Sequence, residues 1–72
     1  MKLSYFPDTD SLYIDLSDEV STESREISDG IVLDFGANGQ LVGIDIDEAS
    51  RHVQLDRLVL TRMPSTIETT AA

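Results

Sequence analysis

Asn38-Gly39 lies between two stretches of alternating character, IVLDF at 31–35 and LVGIDI at 41–46, and no other feature of the chain restricts its fold so tightly. Asn-Gly is the preferred pair for a two-residue type I′ hairpin, because both residues accept positive φ. A turn centred on it sets Phe35 opposite Val42, Leu33 opposite Ile44 and Ile31 opposite Ile46. Three apolar pairs then share one face, so turn chemistry and register agree. Val32, Asp34, Gly43 and Asp45 fall on the other face.

The rest of the chain reads as more strand. SLYIDLS is apolar at Leu12, Ile14 and Leu16, the period of a half-buried strand. KLSYF before it is a shorter strand ending at Pro7. PDTD supplies the turn, with Pro fixing φ and Asp able to bond nearby backbone. TESREI reads as a mostly polar edge strand, where Glu and Arg discourage unwanted pairing. SDG leads it into IVLDF, and Ile27 pairs with Ile31 or Val32 according to whether that loop holds three residues or two.

After Asp47 the period changes. DEASRHV predicts a short helical turn, with Asp47 as N-cap and Glu48 in the first turn. VQLDRLVLTRM fits a helix through Leu55, Leu58, Val59 and Arg62, and a strand through RLVLT. The expected architecture is mainly β with a small α component. It is an antiparallel β-meander of four to five strands with one short helical element near 47–52, forming a single domain over 1–63 and a disordered tail over 64–72. One face carries Leu12, Ile14, Leu16, Ile31, Leu33, Phe35, Val42, Ile44 and Ile46. A lone sheet cannot cover such a face, so residues 55–60 or a second subunit must do so.

Composition narrows the function. A chain of 72 residues buries only about 60% of its unfolded surface, and without cysteine it has neither disulfides nor thiolate metal sites. Homodimerisation is the expected supplement. The net charge is −9, and the five cations Lys2, Arg25, Arg51, Arg57 and Arg62 form no patch, which argues against nucleic acid as a partner. Such a surface suits a basic protein, and it also serves plain solubility. The N-terminal stretch has no long apolar run, so neither a signal peptide nor a membrane span is expected, and the cytoplasm is the default location.

The acids of GIDIDEAS, residues 43–50, are the candidate chemistry. Asp45 lies between Ile44 and Ile46 and faces away from the core, and Asp47 ends the strand, so both have ordinary structural roles. A metal reading needs Asp34 or Asp15 as a further oxygen donor. Without His or Cys ligands it would suit only Ca²⁺ or Mg²⁺. Asp34, Asp45 and Asp15 are therefore the metal candidates, as weak divalent-cation ligands. DFGANGQLVGID imitates a calcium loop in part but lacks donors at its third and ninth positions, and its flanks are strands rather than helices. His52 is the only histidine, and Ser50, two residues away, splays from it on helix or strand alike. No glycine-rich phosphate loop is present. No catalytic residue and no cofactor is assigned, and the chain reads as non-enzymatic.

YFPDTDSLYIDL, ESREISDGIVLDF and NGQLVGIDIDEAS, in that order, resemble the small bacterial family catalogued as domain of unknown function 2283. The likeness rests on Tyr5, Pro7, Asp10, Leu12 and Tyr13, on Arg25-Glu26, on residues 30–34 and on residues 39–49. It spans about residues 3–50. The family carries no agreed catalytic residues, so the resemblance transfers no active site. Its members sometimes neighbour small toxin-like proteins, which implies an antitoxin or accessory role. The resulting expectation is a protein-interaction module that pairs with itself and with a basic protein such as a toxin. A self-contained homo-oligomeric structural domain and a weak divalent-cation binder are the alternatives.

Overall fold

A computed structural model describes residues 1–70. Five strands, β1 (Lys2–Phe6), β2 (Ser11–Asp15), β3 (Glu23–Ser28), β4 (Ile31–Phe35) and β5 (Leu41–Ile46), precede one short helix, α1 (Ala49–His52). They form a single antiparallel sheet in the order β1-β2-β5-β4-β3. Consecutive pairing holds within β1–β2 and within β3–β4–β5. The two groups join where β2 lies against β5, which puts β1 and β3 at the edges. The link from β2 to β3 stays tied to the sheet: Leu16 N–H donates to the Val42 carbonyl at 2.9 Å and Thr22 N–H to the Phe35 carbonyl at 2.8 Å.

The register shows why the strands stack as they do. Ile31 opposes Ile46 and Leu33 opposes Ile44, as the alternation requires. Phe35, however, opposes Leu41 rather than Val42, across a bulge between Asp34 and Phe35. The cause lies in the turn. Gly39 N–H donates to the Gly36 carbonyl at 3.0 Å and Gly36 N–H to the Gln40 carbonyl at 2.8 Å. Gly39 has φ of 80° and Asn38 is not among the positive-φ residues. The connection is therefore a three-residue turn closed by a left-handed glycine, not the two-residue type I′ turn. It shifts the pairing by one residue, and the bulge at Val42 shifts it back. Ile27 pairs with neither Ile31 nor Val32. Ser28 opposes Ile31, with a second irregularity between Glu26 and Ser28.

β2 extends the same face, with Leu12 opposite Ile46 and Ile14 opposite Ile44. β1 adds Leu3 opposite Ile14 and Tyr5 opposite Leu12. At the other edge the Arg25 guanidinium lies 4.7 Å from the centre of the Phe35 ring, a cation held over an aromatic face.

This apolar face is largely uncovered. Among the described residues the buried apolar side chains are Val42, Ile46 and Ala49, while Leu12, Ile14, Ile31, Leu33 and Ile44 are only half-buried. Ala49 belongs to α1, which occupies the end of the sheet where three turns meet: its N–H donates to the Asp10 carbonyl and the Asp47 N–H to the Gly30 carbonyl, each at 2.7 Å. The helix cap differs from expectation. The N-cap is Glu48, in a left-handed conformation with no side-chain cap bond, rather than Asp47. The capping carboxylate comes instead from Asp10, which accepts from Ser50 N–H at 3.2 Å and from the Ser50 hydroxyl at 2.6 Å.

Beyond α1, residues 53–70 form neither helix nor strand. Leu58, Val59 and Leu60 are exposed, so residues 55–60 do not cover the sheet. The tail expected at 64–72 falls partly outside the described residues. Residues 64–70 are exposed. No helix among the described residues is long and apolar enough to cross a membrane.

Candidate functional site

The second face of the sheet gathers the polar chemistry, and a glycine makes it possible. Asp15 on β2 and Asp34 on β4 both stand opposite Gly43 on the strand between them. Two strand spacings, about 9.6 Å, separate them. Gly43 has no side chain to fill that gap. The Tyr13 ring lies across it, so closely that a Cβ on Gly43 would sit 2.8 Å from the Tyr13 Cζ and nearer still to its hydroxyl. Glycine inside a strand often marks this kind of close approach.

The tyrosine thereby reaches over β5 to the far strands. Its hydroxyl donates to Asp34 Oδ2 at 2.6 Å, and the Ser24 hydroxyl donates to Asp34 Oδ1 at 2.6 Å. One chain of hydrogen bonds thus stitches β2, β4 and β3 across the face. The bond to Asp34, partial burial and the charges of Asp34, Asp15 and Asp45 push the Tyr13 phenol up to about 12. A neutral donor locked onto a carboxylate resists ionisation. Burial, then Asp47 and Asp34, raises the Asp45 carboxyl above its ordinary value.

Beside this network a shallow open groove of about 450 Å³ runs along β1 and β2, between Lys2 and Phe6 on one side and Tyr13, Asp15 and Asp45 on the other. Phe6 is half exposed. The face is acidic overall, since Asp15, Glu26, Asp34 and Asp45 alternate onto it and Lys2 is its one cation in the strands.

The three metal candidates all lie on this face but are not gathered. Among the described residues no three His, Cys, Asp or Glu side chains converge as a metal ion needs. Asp34 spends its two oxygens on Tyr13 and Ser24. His52 ends α1, exposed, on the side of Gly30.

A second carboxylate network organises the end of the sheet. Asp10 accepts from the Tyr5 hydroxyl at 2.9 Å as well as from Ser50. The Ser50 hydroxyl, then Tyr5, hold the Asp10 carboxyl below the usual carboxylate range, while the bond to Asp10 raises the Tyr5 phenol above its ordinary value. Asp10 has φ of 52°, a left-handed conformation that an Asx residue tolerates better than most. Sequence reasoning assigned Asp10 only local turn chemistry and gave Tyr13 no partner. The signals lie in Gly43 within a strand and in the short Tyr5 to Asp10 spacing, while Asp34, the partner of Tyr13, and Ser50, the second partner of Asp10, are remote in sequence.

These features define an open five-stranded antiparallel sheet with one acidic, hydrogen-bonded face and one bare apolar face. The chain belongs to the family described as protein of unknown function (DUF2283), whose model matches residues 2–50. The match takes in all five strands and the start of α1. No curated protein and no solved structure matches the chain.

Proposed function

We propose that this chain is a non-enzymatic protein-interaction module, dimeric through its apolar sheet face and presenting its acidic face to a basic protein partner. The observation that carries the reading is the segregation of the two faces. Leu3, Leu12, Ile14, Ile31, Leu33 and Ile44 stand on one side without a covering layer, and Asp15, Glu26, Asp34 and Asp45 stand on the other. Burying the first against a second copy leaves the second outward, so charge repulsion between copies is kept at the periphery. The outward acids would speed encounter with a basic protein, while apolar contacts such as exposed Phe6 would set affinity. An antitoxin-like role in a bacterial cytoplasm, neutralising a basic toxin, is the specific form of this reading.

Co-purification of the tagged chain from its native cell, at low and then at moderate salt, tests it. A stoichiometric basic protein at low salt, lost or reduced as salt rises, is expected. If the chain brings down only itself at both salts, the acidic face serves solubility and the module is a self-contained homo-oligomer.

A further inference from the structure

Among the described residues two apolar surfaces are unpartnered, the sheet face and the segment after α1. Leu58, Val59 and Leu60 are 68%, 62% and 43% exposed, and Met63 is 38% exposed. The surface totals 5851 Å², whereas a compact monomer of 7.9 kDa exposes about 4,400 Å². The radius of gyration, 13.1 Å, likewise exceeds the roughly 11 Å of a compact domain of this length. The excess surface, roughly 1,400 Å², is more than the about 800 Å² per partner that a stable dimer removes.

Charge gives the segment a destination. Twelve of the 14 carboxylates and three of the five cations lie in residues 1–52, so all of the net charge of −9 resides there. Residues 57–63, RLVLTRM, hold Arg57 and Arg62 and no acid. An apolar stretch flanked by arginines is complementary to an apolar sheet face bordered at its ends by the loop acids Asp8, Asp18, Glu19 and Asp29. Its own chain leaves it exposed, although the few residues from His52 are long enough to reach the sheet.

We infer that residues 57–63 form an exchanged arm, each copy in a dimer laying this segment on the apolar sheet face of the other. The inference rests on the dimeric reading above and specifies which part of the second copy covers the sheet. Leu58 and Leu60 then contact the partner's half-buried aliphatic side chains, and Arg57 and Arg62 reach the acids of the loops at the ends of its sheet.

The absence of native cysteine allows a clean test in the full chain. One variant carries Leu60→Cys, and two others carry Leu3→Cys or Leu33→Cys on the sheet face. Mixing the first with either of the others and oxidising should yield a disulfide-linked heterodimer with at least one of them. In parallel, Leu58→Asp with Leu60→Asp should raise the dimer dissociation constant by about 100-fold or more in sedimentation. Its far-ultraviolet circular dichroism should stay unchanged, because both residues are exposed in the single chain. A dimer that survives the double substitution and gives no mixed disulfide overturns the arm and leaves the dimer standing. If a further variant carrying Leu33→Cys and Leu60→Cys together forms only the intrachain disulfide, the arm is also overturned, since it then closes on its own sheet. A wild-type chain that stays monomeric at high micromolar concentration overturns both readings.

Discussion

The two faces of this sheet are finished to different degrees. On the polar face a network of side-chain hydrogen bonds closes within the chain: Tyr13 crosses Gly43 to Asp34, and Ser24 meets Asp34 from the other side. On the apolar face the strands line up Leu12, Ile14, Ile31, Leu33 and Ile44 and then cover few of them. A hydrogen-bonded carboxylate needs its partners close, and an isolated chain can supply them. An apolar surface needs a second layer, and among the described residues the one four-residue helix does not supply one. The contrast separates what the fold completes within one chain, its strand order, from what it leaves largely uncovered, its apolar face.

The strongest way to break that contrast is to disturb the polar face at Gly43. In Gly43→Val the new side chain would occupy the space of the Tyr13 ring, so the tyrosine must leave and Asp34 loses a donor. Overpacking together with the lost bond should cost about 2–4 kcal/mol, read as a lower urea midpoint. Adding Tyr13→Ala should recover part of that loss, because the two changes act on one contact. A Gly43→Val chain as stable as wild type would show that the polar face does not hold the strands.

Most of the architecture was legible from residues 1–50, and the reasons are local. Alternation at Leu12, Ile14, Ile31, Leu33, Ile44 and Ile46 placed those side chains on one face, and the observed pairs agree. The Asn38-Gly39 pair implies a two-residue turn, one residue shorter than the one observed. The inner register survived because the bulge at Val42 compensates the longer turn, and pattern reading cannot see two cancelling shifts. The adjacency of β2 and β5 has no local signature; it follows from which apolar strand finds a neighbour. The Asp10 cap on Ser50 spans 40 residues, and Tyr13 reaches Asp34 across 21. Neither pair is visible until the fold brings the ends together. Residues 53–62 fitted helix and strand equally, and the single chain forms neither.

A smaller effect separates the hydroxyl of Tyr13 from its ring. Tyr13→Phe keeps the apolar contact over Gly43 and removes the donor to Asp34, which should cost about 1 kcal/mol at this half-exposed site. The pH dependence has a definite sign. An unfolded tyrosine ionises near 10, whereas Tyr13 in the fold holds its proton to about 12. Between these values the folded chain binds more protons, so the contribution of Tyr13 is intact below pH 10 and is lost as pH rises toward 12. Melting temperatures of wild type and Tyr13→Phe should therefore converge over that interval. Curves that stay parallel from pH 9 to 12 would place the stabilisation in the ring alone.

The least effect is expected at Asp45, and it tests whether the acids of the polar face form a site or only a surface. Burial and the charges of Asp47 and Asp34 disfavour ionised Asp45. Asp45→Asn removes that cost and should leave stability unchanged or raise it by at most about 0.5 kcal/mol at pH 7, because solvent screens much of the repulsion. For a carboxyl whose folded pKa is raised, the cost of ionisation applies above that pKa and vanishes below about pH 4, so the variant's advantage should fade with acidification. Asp34 already has its oxygens engaged by Tyr13 and Ser24, and Asp15 stands about two strand spacings away across Gly43. Millimolar Ca²⁺ or Mg²⁺ should consequently leave the melting temperature of both chains where it was. A rise in wild type that Asp45→Asn abolishes would instead mean that Asp15, Asp34 and Asp45 draw together around a cation, and the polar face would then have to be read as a binding site that the metal completes.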